Sequence, residues 1–182
     1  MPFTVLLDAD VIYSIAPIDT VLRAAEQDLF RPIWSEQILE EAARAIKRKL
    51  PPEVHRDIDR RFAFMRLSFP DAAVDGYQDL IPVMTNHEKD RHVLAAVVRG
   101  GAAVIVTNNV KDFPPESCRP YDIEVQRLDT FLCHLWSLNP ERMTQVLQEQ
   151  AADYDESPRD VLQRLTRTVP TFAHQALNSE LL

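Results

Sequence analysis

Short apolar runs alternate with longer segments of helical periodicity along the chain, and this alternation predicts the secondary structure. The first apolar run, 3–7, is followed by helical spacing over 19–28. A second run, 29–34, predicts a short strand. Pro32 disfavours this strand without excluding it. Ser35 then has the character of an N-cap for a helix over 36–49, and two prolines follow that helix.

The remaining chain continues the same alternation and ends in helical patterns. The sequence predicts helices over 52–67, near 77–81 and over 88–99, and strands over 102–107 and 124–128. Gly100-Gly101 suits a helix end that needs a positive φ. Asn139-Pro140 and Ser157-Pro158 pair an N-cap residue with a first-turn proline. We therefore expect an α/β fold with a central parallel sheet between helical layers, over 1–135, and a small helical appendage over 136–182.

Composition excludes several classes of protein. The chain has 182 residues, 46% of them hydrophobic, which suits one folded domain with an appendage. It shows no apolar run near the roughly 18 residues that span a bilayer, and no secretory leader, so we expect a cytoplasmic protein without membrane contact. Two cysteines are too few for a disulfide framework. Three glycines leave no glycine-rich nucleotide cradle.

Basic residues concentrate in one segment of an otherwise acidic chain. The net charge is −8, which argues against a protein that coats nucleic acid. Between Arg44 and Arg66, however, eight basic residues face only three acidic ones. This basic arm is either an ordinary solvated helix face or a flank that attracts phosphates.

Two carboxylates, Asp8 and Asp10, directly follow the first predicted strand. The carboxyl ends of parallel strands are where ligands collect in such folds, and oxygen ligands suit Mg²⁺ or Mn²⁺. The alternative is that Asp8 only caps the next helix.

Further candidate ligands occur at three other places. Glu41 lies on the predicted helix after the second strand, where Glu40 competes with it on spacing alone. Asp90 opens the helix before the central strand, a position that the helix dipole also favours. Asn109 and Asp112 follow that strand, and Asp112 could simply begin a turn.

Taken together, these segments resemble the PIN-domain ribonucleases, most closely the toxins of VapBC-type toxin–antitoxin pairs. The resemblance spans about residues 3–130. It rests on LLDADVIYS around Asp8, SEQILEE ending at Glu41, DRHVLAA from Asp90, and VIVTNNVKDFP around Thr107 and Asp112. Two positions depart from the family: Asp10 stands where Asn or Ser is common, and Asn109 stands where many members have Asp.

The resemblance implies a PIN-like three-layer fold and a metal-dependent endoribonuclease. It selects Asp8, Glu41, Asp90 and Asp112 as the catalytic ligands of Mg²⁺ or Mn²⁺, with the fourth ligand open between the Asn109 region and Asp112. Asp10, Thr107 and Asn109 would orient these ligands. Candidates for RNA binding are Arg44, Lys47, Arg48 and Arg91. The resemblance implies three partners, namely an RNA substrate, a cognate antitoxin and a second copy of the chain. His87 and His92 are interpreted as structural or exposed.

Two alternatives remain. Asp8-Ala-Asp10 and Thr107 also resemble motifs of haloacid-dehalogenase-type phosphatases, but that family needs a later strand that ends in an acidic pair, usually with a glycine. This chain has no glycine after Thr107, and its later strand candidate, 124–128, leads to a lone Asp129. The other alternative is a non-catalytic PIN fold that binds RNA or serves as a scaffold. Clustered acids argue against it, because they would be destabilising without metal. Apolar residues of the C-terminal helices either pack on the main domain or recruit a partner; these are Val146, Leu147, Val161, Leu162 and Leu165.

Overall fold

Four parallel strands form the centre of the molecule, which a computed structural model describes over residues 2–181. The strands are β1 (Thr4–Leu7), β2 (Arg31–Ile33), β3 (Val104–Val106) and β4 (Glu124–Gln126), and their order in the sheet is β2-β1-β3-β4. Leu6 and Leu7 of β1 are both fully buried. Consecutive strand residues point to opposite faces, so helices must cover the sheet on both sides. The predicted α/β fold with a central parallel sheet is confirmed.

Ten α-helices surround or extend this sheet within the described range. They are α1 (Ala9–Ile12), α2 (Ile15–Glu26), α3 (Glu36–Lys49), α4 (His55–Ser68), α5 (Arg91–Gly100), α6 (Pro115–Cys118), α7 (Leu128–Leu138), α8 (Pro140–Asp153), α9 (Pro158–Leu165) and α10 (Pro170–Leu177). Short 3₁₀ turns occupy Pro52–Val54, Gln78–Val83, Glu88–Asp90, Val110–Asp112 and Arg119–Tyr121. No helix among residues 2–181 is both long and apolar enough to cross a membrane.

Local signals located several elements well. The hydroxyl of Ser35 accepts a hydrogen bond from the Ile38 backbone N–H, and α3 covers the predicted range. Gly101 ends α5 with a φ of 64°, a left-handed conformation that glycine adopts without steric cost. The strands are shorter than predicted, and Pro32 is tolerated because β2 is an edge strand that pairs only with β1.

The C-terminal helices pack on α2 and α7. The Thr20 hydroxyl donates to Gln150 Oε1 over 2.8 Å in a buried position, and Arg23 pairs with Asp153 over 2.6 Å. The Asp129 carboxylate on α7 accepts hydrogen bonds from two backbone N–H groups at the start of α10. This helical extension is therefore joined to the α/β part by specific polar contacts as well as by apolar packing.

Apolar residues of the extension belong to the protein core. The five residues that the sequence offered either for packing or for partner recruitment are each at most 1% exposed: Val146, Leu147, Val161, Leu162 and Leu165. Packing on the main domain therefore accounts for them. Helix α7 runs across the proposed boundary between 135 and 136, and the division into 1–135 and 136–182 stays a prediction.

Candidate metal centre and active-site cleft

Asp8 lies at the carboxyl end of β1 and is almost fully buried. Its Oδ1 accepts a hydrogen bond of 2.7 Å from the Ala9 N–H, which makes Asp8 the N-cap of the short helix α1. Its Oδ2 accepts a hydrogen bond of 2.8 Å from the Thr107 hydroxyl. Burial and the neighbouring Asp10 carboxylate nevertheless raise the pKa of Asp8 to about 7. The capping role is thus real, but it does not compensate the buried charge.

Asp10 and the turn after β3 complete this side of the site. The Asn108 backbone N–H donates to Asp10 Oδ2 over 2.9 Å, and Thr107 Oγ1 lies 3.4 Å from Asp10 Oδ1. Thr107 also accepts a hydrogen bond of 3.1 Å from the Asn109 backbone N–H. Burial raises the pKa of Asp10 as well. The buried Thr107 therefore contacts both carboxylates and ties them to the adjacent strand end.

Glu41 lies on α3 and contacts two neighbouring side chains. Gln37, one helical turn earlier, donates to Glu41 Oε1 over 3.1 Å. His92 Nε2 lies 3.4 Å from the same oxygen. His92 is buried, and burial lowers its pKa despite the nearby carboxylates of Glu41 and Asp90, so a neutral imidazole is expected at pH 7. The burial of His92 agrees with the interpretation of this residue as structural or exposed, but its contact with Glu41 was not predicted.

Asp90 occupies the N-cap position of α5 but makes no capping hydrogen bond. Its Oδ2 is buried and has no hydrogen-bond partner among the described residues. Burial, together with the nearby Asp112 carboxylate, raises the pKa of Asp90. Oxygen and nitrogen atoms of His87, Asp90 and Asp112 lie within 4.8 Å of one another. Oδ2 of Asp90 is therefore available for another ligand.

A cleft of about 440 Å³ collects these groups on one surface. It is lined by Asp8, Ala9, Asp10, Tyr13, Glu41, Ala45, Arg48, Lys49, Lys89, Asp90 and Asn109. Three of the four predicted catalytic residues, Asp8, Glu41 and Asp90, thus share its wall. A carboxylate oxygen of Asp112 lies within 4.8 Å of one of Asp90. Asp112 is nevertheless not one of the residues that line the cleft, whereas Asn109 is. Asp112 as fourth ligand therefore stays a prediction.

The donor set fits a hard divalent cation. Burial raises the pKa of Asp8 and that of the half-buried Asp90, and Oδ2 of Asp90 has no hydrogen-bond partner among residues 2–181. Mg²⁺ and Mn²⁺ prefer such oxygen ligands. A bound cation would favour the ionised carboxylates and remove this electrostatic cost.

Several residues of the predicted basic arm have partners away from the cleft. Lys47 pairs with Asp59, and Arg66 pairs with Glu36. Arg44 and Lys47 line a different concavity between α3 and α4, and Arg91 Nε donates to the Asn86 carbonyl. Among the four RNA-binding candidates, only Arg48 lines the acidic cleft. Lys49 and Lys89 line it as well. Lys49 follows Glu41 by eight residues, and this spacing places both on one face of a helix, so the sequence could have indicated that Lys49 lies beside Glu41.

Comparison with known proteins gives two matches to families. Residues 4–111 match the PIN domain. The chain belongs to the PIN-domain family. Residues 128–178 match the VapC50 C-terminal domain, so this PIN protein carries a VapC50-type extension. The site described above lies almost wholly within the PIN match.

A curated relative supports the same placement. “Putative ribonuclease VapC50” of Mycobacterium tuberculosis is 43% identical over 104 residues, which cover 56% of this chain and 62% of the relative. The match thus spans less than two thirds of that protein. No solved structure matches. This PIN-domain chain is therefore similar to a VapC-type protein, and the phosphatase alternative finds no support.

Proposed function

We propose that this PIN protein is a divalent-metal-dependent endoribonuclease that acts as the toxin of a toxin–antitoxin pair. The observation that carries the proposal is the convergence of Asp8, Glu41 and Asp90 on one cleft in a member of the PIN family. These carboxylates come from three separate parts of the chain. The raised pKa values of Asp8 and Asp90 have a physical reason if these carboxylates hold Mg²⁺ or Mn²⁺.

The residues of the chain would prepare the site for phosphodiester hydrolysis. Thr107 fixes one oxygen of Asp8, and His92 contacts the Glu41 oxygen, so both carboxylates would keep their orientation while substrate binds. When bound, a divalent cation supplies a Lewis acid that activates water and stabilises the leaving oxygen. Arg48, Lys49 and Lys89 on the cleft wall would attract the RNA backbone.

The decisive experiment is cleavage of RNA by the purified protein in Mg²⁺ or Mn²⁺, beside an EDTA control and Asp8→Asn. Because loss of residues that merely orient a ligand costs about 10–100-fold, removal of the Asp8 charge should cost at least about 100-fold. Cleavage that persists in EDTA would exclude the metal mechanism. A folded protein that binds RNA but cleaves none, with or without metal, would indicate the non-catalytic alternative.

The toxin role needs a test in cells. Expression of the chain should arrest growth, Asp8→Asn should not, and co-expression of a neighbouring antitoxin gene should restore growth. Growth arrest by the Asp8→Asn variant as well would separate toxicity from catalysis. The cytoplasmic location and the homodimer stay predictions, and light scattering tests the latter.

A further inference from the structure

One face of α3 runs from the acidic centre to a basic end. Glu41, Ala45 and Lys49 are spaced four residues apart, so they lie along the same helical face, and all three line the cleft together with Arg48. At 1.5 Å per residue, Lys49 lies about 12 Å along the helix from Glu41. The small Ala45 side chain between them leaves the wall open. The cleft therefore offers a continuous path from the carboxylates to the basic residues.

Lys49 is oriented by an aromatic ring. Its Nζ lies 4.9 Å from the centroid of the Tyr13 ring, and no carboxylate within residues 2–181 forms a salt bridge with it. Lys47, two residues earlier, is by contrast paired with Asp59. A cation–π contact holds an ammonium group in place without supplying a neutralising negative charge. Lys49 thus keeps its charge available to an anion.

The backbone around Tyr13 is fixed in turn. The Tyr13 N–H donates to the Ala9 carbonyl over 2.9 Å at the end of α1, and the Arg61 guanidinium donates to the Ile12 carbonyl over 3.1 Å. The end of α3 is held similarly, since His55 Nε2 lies 2.9 Å from the Lys47 carbonyl and 3.0 Å from the Leu50 carbonyl. Both partners of the cation–π pair therefore stand on anchored backbone.

We propose that Lys49, oriented by Tyr13 and accompanied by Arg48, forms a subsite for an RNA phosphate beside, and not at, the bond that is cleaved. The inference rests on the proposed function in that it takes RNA as the ligand. Tyr13 is a positioning residue here, because it acts on the phosphate through Lys49. The strand would run along α3, from the carboxylates past Ala45 to this subsite.

The test separates binding from cleavage by using the Asp8→Asn protein and a fluorescein-labelled oligouridylate of twelve nucleotides. Fluorescence anisotropy over a range of salt concentrations gives the affinity and its salt dependence. Adding Lys49→Gln should weaken binding about 3–10-fold and reduce the salt slope by about 0.7, the value of one phosphate contact on single strands. Lys47→Gln is the matched control, with the same charge change at a residue that faces the other concavity.

Tyr13 variants test the positioning role. Tyr13→Leu should weaken binding about 2–5-fold, the value of an exposed cation–π contact, whereas Tyr13→Phe should retain the affinity. Combined with Lys49→Gln, Tyr13→Leu should cost nothing more. Equal effects of Lys49→Gln and Lys47→Gln would overturn the subsite, and additive effects of Tyr13→Leu and Lys49→Gln would overturn the role of Tyr13.

The two proposals can fail separately. If the wild-type protein cleaves RNA with metal but Lys49→Gln leaves the salt slope unchanged, the subsite is wrong and the nuclease stands. If wild type never cleaves but oligouridylate binding depends on Lys49 and not on Lys47, the nuclease proposal fails and the phosphate subsite stands.

Discussion

Polar groups are buried in two regions of this protein, and the two regions treat them differently. In the seam between α2 and α8, the buried Thr20 and Gln150 side chains are hydrogen-bonded to each other, and Arg23 pairs with Asp153 at the exposed edge of the seam. In the cleft, burial raises the pKa of Asp8 and that of the half-buried Asp90, and the buried Asp90 Oδ2 has no hydrogen-bond partner within residues 2–181. Buried polar groups normally find partners. The polar contacts of the seam therefore stabilise the fold, whereas the cleft has the character of a site that binds a partner from outside the chain.

The largest expected effect comes from removing the charge of Asp8 in the metal-free protein. A native pKa of about 7, against 3.8 for the ordinary carboxyl group, means that the native state binds the proton more tightly than the unfolded state. Stability is then lost as the pH rises from about 4 through 7. The shift corresponds to about 4 kcal/mol at most, part of which the weaker hydrogen bonds of Asn offset.

Asp8→Asn should therefore raise the melting temperature in EDTA at pH 8 and change it little near pH 4, as thermal denaturation would show. Asp129→Asn serves as the contrast. Its carboxylate accepts two backbone hydrogen bonds at the start of α10, so this variant should melt at a lower temperature. A lower melting temperature of Asp8→Asn at pH 8 in EDTA would contradict the uncompensated charge.

The next largest effect is expected from removing the contact between His92 and Glu41. Replacing His92 by Phe keeps an aromatic ring in the buried position but removes the nitrogen that lies 3.4 Å from Glu41 Oε1. Loss of such support typically costs about 10–100-fold in metal affinity or activity. We expect the Mn²⁺ concentration for half-maximal cleavage to rise by that factor. The exposed His174 provides the control through His174→Gln, and an unchanged Mn²⁺ requirement in His92→Phe would remove the positioning role.

The sequence predicted individual helices and strands better than the side-chain contacts between them. Helix α3 was bounded correctly because its N-cap, Ser35, and the prolines that end it act locally. Asp8 could be assigned to the sheet edge because a strand ends there. Lys49 shares a helical face with Glu41, but which face of α3 lines the cleft depends on how α3 packs against α1 and α4, and the sequence alone does not determine that packing. The same holds for His92, whose contact with Glu41 joins two distant helices.

A smaller effect is expected in the seam. Thr20→Val removes the hydroxyl that donates to Gln150 Oε1 and leaves a buried oxygen without its partner. Such a group costs about 1–3 kcal/mol, and each kcal/mol lowers the melting temperature of a chain of this size by about 2–4 °C. The double variant Thr20→Val with Gln150→Leu should recover part of the loss, because both polar groups are then absent. Cleavage activity should be retained, since the seam lies outside the cleft.

Retained stability in Thr20→Val would show that the seam does not depend on this hydrogen bond. Lost cleavage in a variant that is still folded would show that the C-terminal helices influence the cleft. Either result would weaken the separation between a stabilising region and a functional one.

The smallest effect tests the extension away from both regions. Ser157 caps α9, accepting from the Asp160 N–H while the Asp160 carboxylate accepts from the Ser157 N–H and hydroxyl. Ser157→Ala should cost about 1 kcal/mol through the lost N-cap, with Ser68→Ala as control. The hydrogen bonds from Ser157 lower the pKa of Asp160. Their stabilisation is therefore present above pH 3.8 and is lost as the pH falls through the depressed value, so the difference in melting temperature should shrink in acid. A difference that grew on acidification would contradict this reciprocal cap.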